Sequence, residues 1–139
     1  MTVITLPWPH ADLSPNARAH WRKVAPLKRR AKHDAWWLAL EAGVKRMAAD
    51  RLNVSVTFYP PDNRRRDTDN MLSSSKALLD GIAEACGVDD SRWVLSIARC
   101  PAVEGGKVVV KLGGDVPLTD AELRDQIIAQ TPTIQGDDT

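Results

Sequence analysis

Apolar and polar positions alternate strictly over LNVSVTFY at 52–59. Leu52, Val54, Val56 and Phe58 fall on one side, and Asn53, Ser55, Thr57 and Tyr59 on the other. A period of two with β-branched and aromatic residues predicts a half-buried strand, closed by Pro60-Pro61. Leu27, Ala31, Ala35, Leu38 and Ala42 recur at helical spacing and predict a helix from about Pro26, a residue suited to the first turn, to about Ala49. The segment 10–26 before it reads as a loop. Met71, Leu72, Leu78, Leu79, Ile82 and Ala83 predict a second helix that closes near Gly87. VITL near the start, WVLSIA at 93–98 and KVVVKL at 107–112 are further strands. PAVEGG at 101–106 reads as the loop of a hairpin joining the last two. Thr119 and Glu122 make a capping box that starts a short helix over 120–130. The order β-α-β-α-β-β-α predicts an α/β (α+β) domain with a small mixed sheet and two main helices.

Composition narrows the class. The length of 139 residues suits one domain with a modest core, and 43% hydrophobic with 27% charged residues suits a globular chain. The expected division is a domain over 1–118 and a short helix with an acidic tail over 119–139. No apolar run is long enough for a membrane span, and the opening MTVITLPWPH lacks the basic-then-apolar layout of a signal peptide. A cytoplasmic location without membrane contact is the expectation. Cys86 and Cys100 lack C-x-x-C spacing and read as free thiols, and the three histidines show no zinc spacing.

The net charge of +1 hides a division. Residues 1–112 carry 18 Lys and Arg against 12 Asp and Glu, and residues 113–139 carry one Arg against six acids. A basic body with an acidic tail favours nucleic-acid contact. Between positions 18 and 33 the chain has Arg18, Arg22, Lys23, Lys28, Arg29, Arg30 and Lys32 and no acid, with Trp21 among them and Trp36 and Trp37 just beyond. Cations of this kind track a phosphate backbone, and aromatics stack on exposed bases. At least two of the five tryptophans are expected in the core, and a solvated basic face is the plainer reading of the charges.

The segment RRRDTDN at 64–70 holds three arginines and two aspartates. In extended backbone, residues i and i+2 point the same way, so Asp67 and Asp69 can face one point, and Asp69 also suits a helix N-cap. Asp89 and Asp90 follow the second helix. A fold returning that helix end to the arginine loop would gather three or four carboxylates, a cluster that needs a cation. Oxygen ligands without Cys or His point to Mg²⁺, with Mn²⁺ as a substitute. The alternative is that Asp67 and Asp69 pair with Arg64, Arg65 and Arg66 and cap a helix. Lys76, seven residues beyond Asp69, would lie on nearly the same face, about 10 Å along the axis. Asp80, four further on, would hold it or simply pair with it.

These motifs in order, RRRDTDN, then KALLDG at 76–81, then GVDD at 87–90, resemble the RusA family of Holliday junction resolvases, found in phages and prophages. ITLPWP at 4–9 and SPNARAHWR at 14–22 resemble its N-terminal region, so the likeness spans roughly residues 3–112. The resemblance implies a homodimeric, Mg²⁺-dependent endodeoxyribonuclease that resolves four-way DNA junctions in recombination and repair. Its metal-binding carboxylates would be Asp67, Asp69 and Asp90, with Asp89 the less favoured of its pair, and its catalytic lysine Lys76. Arg64, Arg65, Arg66, Lys28, Arg29, Arg30 and Lys32 would grip DNA phosphates. One departure stands out: MLSSS at 71–75 lengthens the Asp69-to-Lys76 gap by three residues over the shortest family pattern. Two other classes compete: a non-catalytic junction or DNA-binding protein, and another metal-dependent phosphotransfer enzyme acting on nucleotides.

Overall fold

A computed structural model describes residues 2–115. Strand β2 (Leu52–Tyr59) forms as its alternation requires, with Leu52, Val54, Val56 and Phe58 all fully buried. It lies inside a four-stranded mixed sheet of order β1-β4-β2-β3, with β1 at Thr2–Pro7, β3 at Trp93–Arg99 and β4 at Lys107–Asp115. β4 runs antiparallel to both β1 and β2, whereas β3 runs parallel to β2. Registers such as Ile4 with Val110, and Val110 with Val56, put every buried side chain on one face. Each such Val, Leu, Ile or Phe contributes on the order of 1.5–3 kcal/mol by leaving water.

That face is covered by α1 (Trp21–Glu41) and α3 (Lys76–Cys86), giving a two-layer α+β fold. Ala35 and Ala39 of α1 and Leu78, Leu79 and Ile82 of α3 join the sheet residues in one core. Small residues on α1 let the helices approach. Gly81 of α3 completes the fit, because a Cβ there would collide with the backbone of Lys32 and lie 2.9 Å from the Trp36 nitrogen. Lys32 and Glu84 pair across the crossing at 3.4 Å. Trp8, Trp36 and Trp93 pack against the core, while Trp21 and Trp37 are exposed. Cys86 and Cys100 are free thiols.

Four expectations are corrected. Helix α1 begins at Trp21 rather than Pro26, because the His20 imidazole accepts a bond from Arg22 N–H and caps it there; Pro26 sits inside. It also ends at Glu41, well short of Ala49. The second helix is two, α2 (Thr68–Ser74) and α3, with Ser75 between them at φ −95°, ψ 0°. The hydroxyls of Ser74 and Ser75 donate back to the carbonyls of Asn70 and Met71, a habit that bends helices. Finally, β3 and β4 form no hairpin: β2 lies between them, and residues 100–106 cross over it. The boundary at 118, the 120–130 helix and the acidic tail lie outside the described residues. Among the described residues, no helix is long and apolar enough to cross a membrane.

Candidate functional site

The arginine loop is organised by two residues that sequence reasoning did not single out. Asp62 accepts from the Arg64 backbone N–H at 3.0 Å and from the guanidinium groups of Arg64 and Arg66 at 3.3 and 2.8 Å. The hydrogen bond from Arg66, then that from Arg64 N–H, holds the Asp62 carboxyl down at about 2. From the end of β3, Arg99 donates to the carbonyls of Arg64 and Arg66 at 3.1 and 3.2 Å. Arg66 is therefore turned inward, its side chain only 15% exposed and its guanidinium 5.6 Å from the Trp8 ring centroid. Trp8 meets Phe58 edge-on at 6.2 Å, so the loop is anchored to the core. Arg65 makes no hydrogen bond or ion pair with any described residue, and it lines an open groove of about 550 Å³ with Trp8, His10, Asn16, Asp67 and Asn70. An aspartate two and four residues ahead of two arginines is a readable turn signal. Arg99, more than thirty residues away, left none.

Asp67 and Asp69 do not pair with the arginines. Asp67, not Asp69, occupies the N-cap of α2, with extended backbone and no side-chain capping bond; Asp69 lies in the first helical turn, where a negative charge is favourable. Helix α2 begins at Thr68, between the two aspartates, and Asp67 lines the groove while Asp69 is not among its lining residues. Neither carboxylate has a hydrogen-bond or ion-pair partner among the described residues.

At the first residue of α3, the Lys76 ammonium contacts the Asp80 carboxylate at 2.7 Å and, on its other side, the Asp90 carboxylate. Asp90 opens a 3-10 turn, Asp90–Arg92, that leads into β3. Asp89 is spent differently, accepting from the Ser91 hydroxyl and the Ser91 N–H, which together lower its pKa. Partial burial alone would lower the Lys76 pKa, but its hydrogen bonds to Asp80 and Asp90 outweigh that and raise it. Lys76 is thus a fixed cation at neutral pH. Among the described residues, no three His, Cys, Asp or Glu side chains stand close enough to hold one metal ion.

Lys76 and Asp80 line a second open groove, of about 740 Å³, with Val24, Lys28, Arg29 and Lys32 of α1 facing them. Ser14 and Ser74 line both grooves, so the two form one trough from the arginine loop to the basic helix. The structure therefore brings Lys28, Arg29, Lys32 and Lys76 together. Arg30 faces elsewhere, lining an apolar pocket beside Leu27 and Leu78 and pairing with Asp34 at 3.8 Å.

No family model matches the chain. An uncharacterized protein of Xylella fastidiosa (strain Temecula1 / ATCC 700964) is 39% identical to it over 122 residues, 82% of this chain and 77% of that protein. The chain belongs to the same family as that protein. The crossover junction endodeoxyribonuclease rusA of Enterobacteria phage HK97 is 26% identical over 115 residues, 77% of this chain and 89% of the phage protein. That is a distant relationship.

Proposed function

We propose that this chain is a divalent-metal-dependent endodeoxyribonuclease that nicks four-way DNA junctions, acting as a homodimer so that two strands are cut symmetrically. The observation that carries the reading is the fixed cation Lys76, held by two carboxylates in the trough that gathers Lys28, Arg29 and Lys32. The distant likeness to the phage junction endonuclease points the same way.

The donor chemistry fits a hard cation: Asp67 and Asp69 have carboxylate oxygens without partners among the described residues, and Asp90 already faces a positive charge. Asp67, Asp69 and Asp90 would hold Mg²⁺ or Mn²⁺, which when bound lowers the pKa of a water and offsets phosphate charge. The protein's own side chains do the rest. Lys28, Arg29, Lys32 and Arg65 bind phosphates on either side of the scissile bond and fix the strand in register. Lys76, cationic throughout, offsets the charge that develops on the phosphate as the bond breaks. Asp80 orients that ammonium, and Asp62, Arg66 and Arg99 shape the loop that presents Arg65.

A DNA-binding protein without catalysis would use the same trough, and that is the second reading. One comparison separates them: a synthetic four-way junction and a matched linear duplex, each with Mg²⁺ or EDTA, against wild type, Asp90→Asn and Lys76→Met. Symmetric junction nicking that needs Mg²⁺ and fails in both variants, with binding kept, is expected. Binding without cleavage in all three proteins would leave a junction-binding module.

A further inference from the structure

Trp21 is the most exposed large apolar side chain of the described residues, at 67%. Its ring neighbours are the His20 imidazole, 5.6 Å away between centroids, and the Arg22 guanidinium, 5.4 Å from its centroid. It occupies the first residue of α1, and the helix fixes where it points. Trp21, Val24, Lys28 and Lys32 are spaced i, i+3, i+7 and i+11, which at 100° per residue makes them one stripe. Val24, Lys28 and Lys32 line the second groove, as does Ala17, four residues before Trp21. The indole thus stands at the N-terminal lip of a cationic groove, with its ring open to water.

We infer that Trp21 is a stacking platform for an unpaired nucleobase, taken from a DNA strand whose phosphates lie along Lys28 and Lys32. Aromatic rings set beside a cationic groove are how proteins hold single strands, because every base has a π-face and the groove supplies the charge. A fully paired duplex presents no free base face and gains nothing from Trp21. A branch point, where bases unstack easily, does. The inference rests on the reading of the trough as a DNA site and adds to it the group that distinguishes branched or single-stranded DNA from duplex. Trp37 is the built-in control: it is also exposed, at 54%, but lies sixteen residues on, on the opposite face of α1.

The test is equilibrium binding in EDTA of a four-way junction with 2-aminopurine at the branch point, a single-stranded oligonucleotide carrying 2-aminopurine, and a matched duplex. Trp21→Ala should weaken binding of the junction and the single strand by about 5- to 100-fold and abolish the 2-aminopurine quenching. Duplex affinity should hardly change, Trp21→Phe should keep most of the effect, and Trp37→Ala should match wild type. Equal loss on duplex and branched DNA, or no loss on either, would overturn the stacking role. The broader junction reading fails separately: wild type would then bind junction no better than duplex and cut neither. Stacking on the single strand would still be read from the quenching.

Discussion

The carbonyl of Lys32 in α1 lies directly over Gly81 in α3, in the space that a Cβ would need, with the Ala35 methyl 3.0 Å from the same point. The crossing sets the spacing of the two walls of the basic groove, since Lys32 stands on one and Lys76 and Asp80 on the other. In an ordinary helix interior, alanine in place of glycine stabilises by roughly 0.5–1 kcal/mol. Here the sign should reverse. Gly81→Ala should cost about 1–3 kcal/mol by overpacking, read from urea denaturation. A gain in stability would mean that α1 lifts away without penalty.

The three arginines of the loop should behave differently. Arg65→Ala should leave thermal stability unchanged, weaken DNA binding, and reduce the slope of log affinity against log salt by about one. Arg66→Ala should instead lower the melting temperature, because it removes the partner of Asp62 and the cation over Trp8. Salt titrations and melts of the two variants, side by side, separate the roles. An equal salt slope for wild type and Arg65→Ala would remove Arg65 from the interface.

Asp62 gives the loop an acid limit. Its carboxyl is near 2 in the folded protein against an ordinary 3.8, so its contribution is complete above about 4 and is lost as the pH falls through about 2. Melting temperatures of wild type and Asp62→Asn, measured from pH 7 down to 2, should differ by a constant amount above about pH 4 and converge below it. A difference that persists unchanged to pH 2 would show that the carboxylate charge is not what orders the loop.

Removing the fixed cation should affect cleavage more than binding. Lys76→Met should lower the junction-cleavage rate by about 10²–10³-fold, in the range found for single electrostatic donors at active sites. Asp89→Asn, which keeps a capping oxygen for Ser91, should cut at close to the wild-type rate. Single-turnover assays at saturating protein distinguish a lost chemical step from lost affinity. If Lys76→Met cuts like wild type, Lys76 is only the surface partner of Asp80.

The sequence made some of this plain and hid the rest for physical reasons. Alternation in β2 was legible because one face packs and the other does not, and period two is then imposed on every residue. The Lys76–Asp80 pair was legible because it is local to one helix turn. The missing β3–β4 hairpin was not: PAVEGG turns the chain equally well into a neighbouring strand or across one, and only the tertiary demand of β2 for a second partner decides. The start of α1 at Trp21, capped by His20, was obscured by Pro26, which reads as a first-turn residue yet is tolerated later. Asp69 misled as the N-cap because the helix takes over before it, at Thr68, with Asp67 in the cap position. The clamp by Arg99 depends on the parallel register of β3 with β2, which brings Arg99 beside Phe58 at the mouth of the loop.

The strand order also dictates when the protein can form. Thr2 pairs with Leu112, and β2 finds its antiparallel neighbour only in the same late strand. While the ribosome has delivered no further than residue 106, β1 has nothing to pair with, and β2 and β3 stand as a parallel pair with one side bare. β4 enters between β1 and β2 and joins them at once. Synthesis of Lys107–Asp115 is therefore the step that commits the domain to its fold, and contacts so distant along the chain make that step slow. A chain truncated ahead of Lys107 would leave β1 and one side of β2 unpaired, a state that invites strand-to-strand aggregation.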